Sequence, residues 1–116
     1  MYLGGISERS VSSPDDIALT DGTTTLTWTQ LAAAVRGVAG HLAMLPEGAR
    51  LGVSGENAAP TLVAHVAGLV SGVGTVAIHR QATPAELVHE LQTADCRAVL
   101  VGPTTVAAAT EVGGVV

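Results

Sequence analysis

Between Ala58 and Ile78 the sequence carries no charged side chain, and this interval constrains the fold more than any other. A helix that is apolar around its whole circumference must be covered on more than one side, by protein or by lipid. The interval is just long enough to span a bilayer, and Gly68 and Gly72 stand at the GxxxG spacing that packs membrane helices. Three features favour burial in protein. His65 lies in the middle, Gly72 and Gly74 interrupt the run, and its last part, "TVAI", has the composition of a β-strand. The expectation is a buried helix from about Pro60 followed by a buried strand, with no membrane span. On that helix Leu62, Val63, Val66, Leu69 and Val70 form a large-residue face, and Ala64, Gly68, Ser71 and Gly72 a small-residue face. Both are expected to be covered.

The flanking sequence supplies a rhythm of short apolar runs and capped helices. Residues 1–13 are polar and aperiodic and read as a flexible lead-in. "IALT" and "TTLTW" flank Asp21-Gly22, a dipeptide suited to a tight hairpin whose two central residues both take positive φ. Thr27 to Gln30 forms a capping box, so a helix starts there. Leu31, Val35, Val38, Leu42 and Leu45 follow on one stripe with Arg36 opposite, and Pro46 to Gly48 ends the helix. "RLGVS" at 50–54 is a strand, and "GENAAP" leads into the uncharged helix. Thr83 to Glu86 is a second capping box with Pro84 at the first helical position, and Leu87, Val88, Leu91 and Ala94 line one face of its helix. "AVLV" at 98–101 is a strand, "TTVAAAT" a weaker helix, and "VGGVV" the beginning of another strand. Strands alternating with helices predict an α/β fold, a parallel sheet of βαβ units with Rossmann-like or flavodoxin-like layers, preceded by a short β-hairpin.

Composition removes several classes of function. With 116 residues the chain forms one domain or part of one, burying roughly 65% of its unfolded surface. It has no Phe and no Lys, and its core must be built from small aliphatic side chains. The net charge is −5, and the five arginines, Arg9, Arg36, Arg50, Arg80 and Arg97, are scattered, which argues against nucleic-acid binding. A single cysteine, Cys96, excludes an internal disulfide, and the N-terminus lacks the layout of a secretory signal, so the expected location is the cytoplasm.

Candidate ligand motifs fare poorly as well. A phosphate-cradling loop at "TDGTTTLTW" wants more glycine, a lysine and a helix at its end. Gly72-x-Gly74-x-x-Ala77 fits a dinucleotide fingerprint on paper, yet it follows a helix and opens a strand, the reverse of the real order. Asp15-Asp16 lacks the further carboxylate and lysine of a phosphoacceptor site. Ser54, Ser71 and Thr83 have no visible base. His41, His65, His79 and His89 lack the i, i+4 pairing of a metal helix, and Cys96 has no CxxC partner. No catalytic, cofactor-binding or metal residue is assigned. The pair His79-Arg80 is the best candidate for anion contact, because it lies just past the C-terminal end of a predicted parallel strand. A solvated loop pair is the competing reading.

In order, the hairpin, the capped helix and the Gly-rich strand entry resemble the N-terminal part of the adenylate-forming ligases, the superfamily of acyl-CoA synthetases, amino-acid adenylation domains and luciferase. "LTWTQL", Leu26 to Leu31, is similar to that family's first core motif, and "LVSGVGTVAIH", Leu69 to His79, to its second. "GEN" and "TPAEL" sit where the family has similar segments, and the likeness runs from about Pro14 to Val101. Val70, Ala77 and His79 depart from it, standing where Lys, Pro, and Asp or Asn are common.

The resemblance implies that residues 14–116 are an incomplete N-terminal subdomain of an AMP-binding ligase. For a full-length parent it implies activation of a carboxylic acid with ATP and Mg²⁺ and transfer to CoA. The family's lysine-bearing phosphate loop and catalytic lysine are not in these residues, so the chain alone is expected to be inactive. Its partners are then the remainder of a ligase or further copies of itself. A stand-alone Rossmann-like module for a small ligand, or an interaction fragment docking on a full-length ligase, are the alternatives.

Overall fold

The computed structural model describes residues 5–56, 58–102 and 105–112. They divide into two compact units, one of residues up to 44 together with 57–72, the other of 45–56 together with 73 onward.

The first unit contains α1 (Gly5–Ser12), β1 (Ile17–Thr20), β2 (Thr25–Thr27), α2 (Trp28–Leu42) and α3 (Ala59–Ser71). Helix α1 occupies part of the stretch read as an aperiodic lead-in. It has no buried residue, hence no apolar stripe to betray it in sequence. It lies against α2, where the Arg9 guanidinium sits 5.9 Å from the centre of the Trp28 ring, within cation–π range.

The hairpin forms as expected, with Leu19 opposite Leu26 and Thr20 opposite Thr25. Its loop differs from the two-residue turn. Four residues, Asp21 to Thr24, make the connection, and of the Asp-Gly pair only Gly22 has a positive φ, 88°. Asp21 instead uses its carboxylate, accepting from the N–H of Thr23 at 2.8 Å and of Thr24 at 2.6 Å.

Helix α2 begins where the capping box placed it. The Gln30 N–H donates to Thr27 Oγ1 at 3.2 Å, and the Thr27 N–H donates to Gln30 Oε1 at 2.9 Å. The two amides before Gln30 are also satisfied, Trp28 N–H by the Asp16 carbonyl at 3.1 Å and Thr29 N–H by the Pro14 carbonyl at 3.2 Å. A helix start that has no unpaired donor among these three is well anchored. Leu31, Val35 and Leu42 are buried and Val38 is half-buried. Leu45 falls outside the helix, which ends at Leu42; the residue before a proline, here Pro46, avoids helical backbone.

Within this unit α2 packs chiefly on α3. The side of α3 that is buried cuts across the two expected faces: Ala64 and Gly68 of the small face are covered together with Ala59, Val63 and Ala67, while Ser71 and Gly72 are exposed, and the mostly small side chains let two helices approach closely. Leu62 and Leu69, on a face expected to be covered by neighbours from the remainder of a ligase, are 45% and 81% exposed here. The helix closes on Gly72 at φ 73°, whose N–H returns to the Gly68 carbonyl, a left-handed cap that glycine adopts without strain.

The second unit is a three-stranded parallel sheet with two helices. It holds β3 (Arg50–Ser54), β4 (Gly74–Ile78), α4 (Pro84–Thr93), β5 (Cys96–Leu100) and α5 (Val106–Val112), in strand order β4-β3-β5. Arg50 is opposite Gly74 on one side and Cys96 on the other. That pairing starts β5 two residues before the apolar run suggested. The predicted strand at "VGGVV" lies, from residue 113, outside the described residues. Ile78, Ala82, Leu87, Leu91 and Cys96 form the core, with Val76, Val99, Ala108 and Ala109 packed on it.

Gly52, in the central strand, faces that core directly. A Cβ there would lie 2.7 Å from Leu91 Cδ2 and 3.2 Å from Ile78 Cγ1, so α4 reaches the sheet only because the position has no side chain. Burial raises the Cys96 thiol above its ordinary pKa, outweighing the opposing pull of Arg50, and keeps it protonated at neutral pH. Among the described residues no helix is long and apolar enough to cross a membrane.

Candidate functional site

Three parallel strands put their C-terminal ends on one edge of the sheet, and in open α/β sheets that edge is where ligands bind. Here it is formed by Ser54 at the end of β3 with Gly55 and Glu56 after it, His79 and Arg80 after β4, and Val101, Gly102 and Thr105 after β5.

His79 and Arg80 stand where the sequence placed them, and both are exposed. The His79 ring is oriented locally: its Nδ1 accepts from the Gln81 N–H at 3.1 Å, which leaves Nε2 to carry the proton of the neutral form. The neighbouring turn is tied to the start of α4. Thr83 Oγ1 accepts from the Glu86 N–H at 3.2 Å, and the Glu86 carboxylate reaches back to the Thr83 N–H at 3.4 Å. The Glu86 carboxyl is held below its ordinary range by the hydrogen bonds from Thr83 first, with a smaller contribution from His79.

The β3 and β5 ends are joined by a polar knot that the sequence did not reveal. Ser54, buried at the end of β3, donates to the Glu56 carboxylate and accepts from Thr105 Oγ1 at 2.9 Å. Thr105 Oγ1 in turn accepts from the Gly102 N–H at 3.1 Å. The Glu56 carboxylate lies so close over Gly102 that a Cβ there would overlap it. The three side chains come from positions 54, 56 and 105. The nearest thing to a signal was the pair of polar residues closing an apolar strand, while the third member lies far downstream.

Chemically this edge combines a fixed carboxylate with two buried hydroxyls and, after the next strand, an imidazole and a guanidinium. Ser54 is enclosed and already hydrogen-bonded, which suits holding two loops together better than attacking a substrate. The other three histidines do not join His79 at a shared centre, and among the described residues no group of three or more His, Cys, Asp or Glu side chains comes together.

Comparison with known proteins identifies the fold. It matches the inhibitor-bound N-terminal domain of FACL13 from Mycobacterium tuberculosis at a TM-score of 0.78 and 17% identity, covering 94% of this chain and 28% of that one. The Vibrio cholerae adenylation domain AlmE, in complex with glycyl-adenosine-5'-phosphate, matches at 0.74 and 13% identity, covering 91% of this chain and 20% of that one. O-succinylbenzoate coenzyme A synthetase (MenE) from Bacillus subtilis, in complex with AMP, matches at 0.69 and 24% identity, covering 85% and 26%. The chain thus spans little more than a quarter of the longest-covered of these three relatives. No curated protein matches it. The sequence model of the AMP-binding enzymes covers residues 6–115, nearly the whole chain, and so this protein belongs to the AMP-binding enzyme family.

Proposed function

We propose that these 116 residues are the N-terminal scaffold of an ATP-dependent, adenylate-forming ligase of the acyl-CoA synthetase kind, and that they do not carry the reaction by themselves. The observation behind this reading is the family match over residues 6–115, in a chain that spans 26% of a structure solved with AMP and 20% of one solved with glycyl-adenosine-5'-phosphate. The reaction of the whole enzyme is activation of a carboxylic acid, a fatty acid in this reading, as its acyl-adenylate, followed by transfer to the thiol of CoA.

The residues present do not fit a site for ATP and Mg²⁺. Stabilising charge at phosphorus needs cations or metal directed at the phosphate oxygens. The chain has no lysine, and among the described residues no carboxylate cluster suited to a metal is formed. No step of the reaction is therefore routed through these side chains. His79 and Arg80 line the sheet edge without an assigned chemical task.

In the same reading the exposed leucines of α3 are covered by the remainder of a ligase or, when these residues stand alone, by another copy, and the setting is the cytoplasm. ATP–pyrophosphate exchange by the purified 116-residue chain, assayed across a panel of short, medium and long carboxylic acids, is expected to stay at background. Exchange well above background would overturn the scaffold reading. A melting temperature that rises with ATP or an acyl-CoA in a thermal-shift assay would point to a ligand-binding module instead.

A further inference from the structure

We propose that Asp21 is an acid-sensitive clasp, its carboxylate fastening the β1–β2 loop to the first turn of α3. The inference is independent of the functional reading above. One oxygen, Oδ1, accepts from the loop's own Thr23 and Thr24 N–H groups at 2.8 and 2.6 Å. The other, Oδ2, accepts from the Ala59 N–H at 2.7 Å, the first residue of α3.

That helix has a conspicuous gap for the clasp to fill. Its N-cap residue is Ala58, which has no side chain able to accept a hydrogen bond, although a helix start leaves several amides in need of one. A carboxylate at this end also meets the positive pole of the helix. Asp21 therefore does from a distance what Thr27 and Thr83 do for their own helices.

Acid sensitivity follows from the donors. Among the described residues the hydrogen bonds that Asp21 Oδ1 and Oδ2 accept come from backbone N–H groups, so the ionised form satisfies them and a protonated oxygen, itself a donor, does not. The Asp21 carboxyl is held below its ordinary range by the Thr24, Ala59 and Thr23 amides, in that order of effect. No charged side chain is among the causes. β1 and β2 carry no titratable side chain, α3 carries only His65, α2 carries Arg36 and His41, and Asp15 and Asp16 precede β1. Because the folded-state pKa is depressed, the clasp is fully closed above the ordinary carboxylate pKa. It opens as pH falls through the depressed one.

Amide NMR of the full chain, titrated from pH 7 to pH 2, tests this. The Thr23, Thr24 and Ala59 amides are expected to shift together, with one midpoint below that of an ordinary aspartate and shared with the Asp21 carboxyl ¹³C signal. In Asp21→Asn the shared titration disappears, and the Ala59 amide exchanges with solvent roughly tenfold faster at neutral pH. Separate midpoints for loop and helix, a midpoint at the ordinary value, or undiminished Ala59 protection in the variant would each overturn the proposal. Should Asp21→Asn fail to fold, the titration of the unsubstituted chain decides alone.

Discussion

Helices α3 and α4 begin in opposite ways. α4 is capped by Thr83 and Glu86, three residues apart, in a box that closes on itself. α3 begins on an alanine and takes its cap from Asp21, in a loop that precedes α2. The first start is specified by four consecutive residues and survives in any context that leaves them helical. The second exists only when the hairpin and the helix are both in place, so it reports on tertiary structure. The two starts separate what a short peptide encodes from what only the folded unit can supply.

Substitutions at three positions sharpen or break that contrast. The largest effect belongs to a contact that is wholly non-local. Gly52→Val inserts bulk where a Cβ alone would lie 2.7 Å from Leu91 and 3.2 Å from Ile78, and is expected to cost about 1–3 kcal/mol in urea unfolding. A loss smaller than that of a single cap would mean that α4 gives way and that local starts dominate the second unit.

Next comes Thr83→Ala, which removes the local box and should cost about 1 kcal/mol, while Thr83→Ser is nearly neutral. If alanine at 83 leaves the midpoint unchanged, packing of Leu87 and Leu91 rather than the cap fixes where α4 begins. The smallest effect is expected at Leu69, on the open side of α3. Leu69→Gln should leave stability within about 0.5 kcal/mol, since the side chain is 81% exposed, yet move the size-exclusion profile toward monomer if that side drives association. A large loss of stability there would mean that Leu69 contributes to the fold of its own unit.

The same division explains what could be read from the sequence. Both capping boxes, the hairpin and the parallel strands were legible because their signals occupy a few adjacent residues with a known period. The position of His79 and Arg80 at the sheet's C-terminal edge followed from the βαβ rhythm alone. Helix α1 escaped notice because nothing on it is buried, and the apolar stripe continued through Leu45, past the end of α2 at Leu42. The uncharged helix was correctly placed, but its exposed and buried sides could not be told apart from hydrophobicity. Both faces were expected to be covered, whereas the side built from Ala59, Val63, Ala64, Ala67 and Gly68 is the one that is buried and Leu62 and Leu69 are left exposed. Asp21 and the Ser54–Glu56–Thr105 knot needed partners far along the chain, which no local pattern announces.

The central position of β3 sets a timetable for folding. Arg50 to Ser54 leave the ribosome first of the three sheet strands, yet their two neighbours, beginning with Gly74 and Cys96, follow only after a helix each. Until both arrive, "LGV" waits with its backbone groups unmatched and its apolar side chains wet. Distant parallel pairing closes slowly, and the interval in which a nascent strand lies open is the interval in which it is most prone to aggregate.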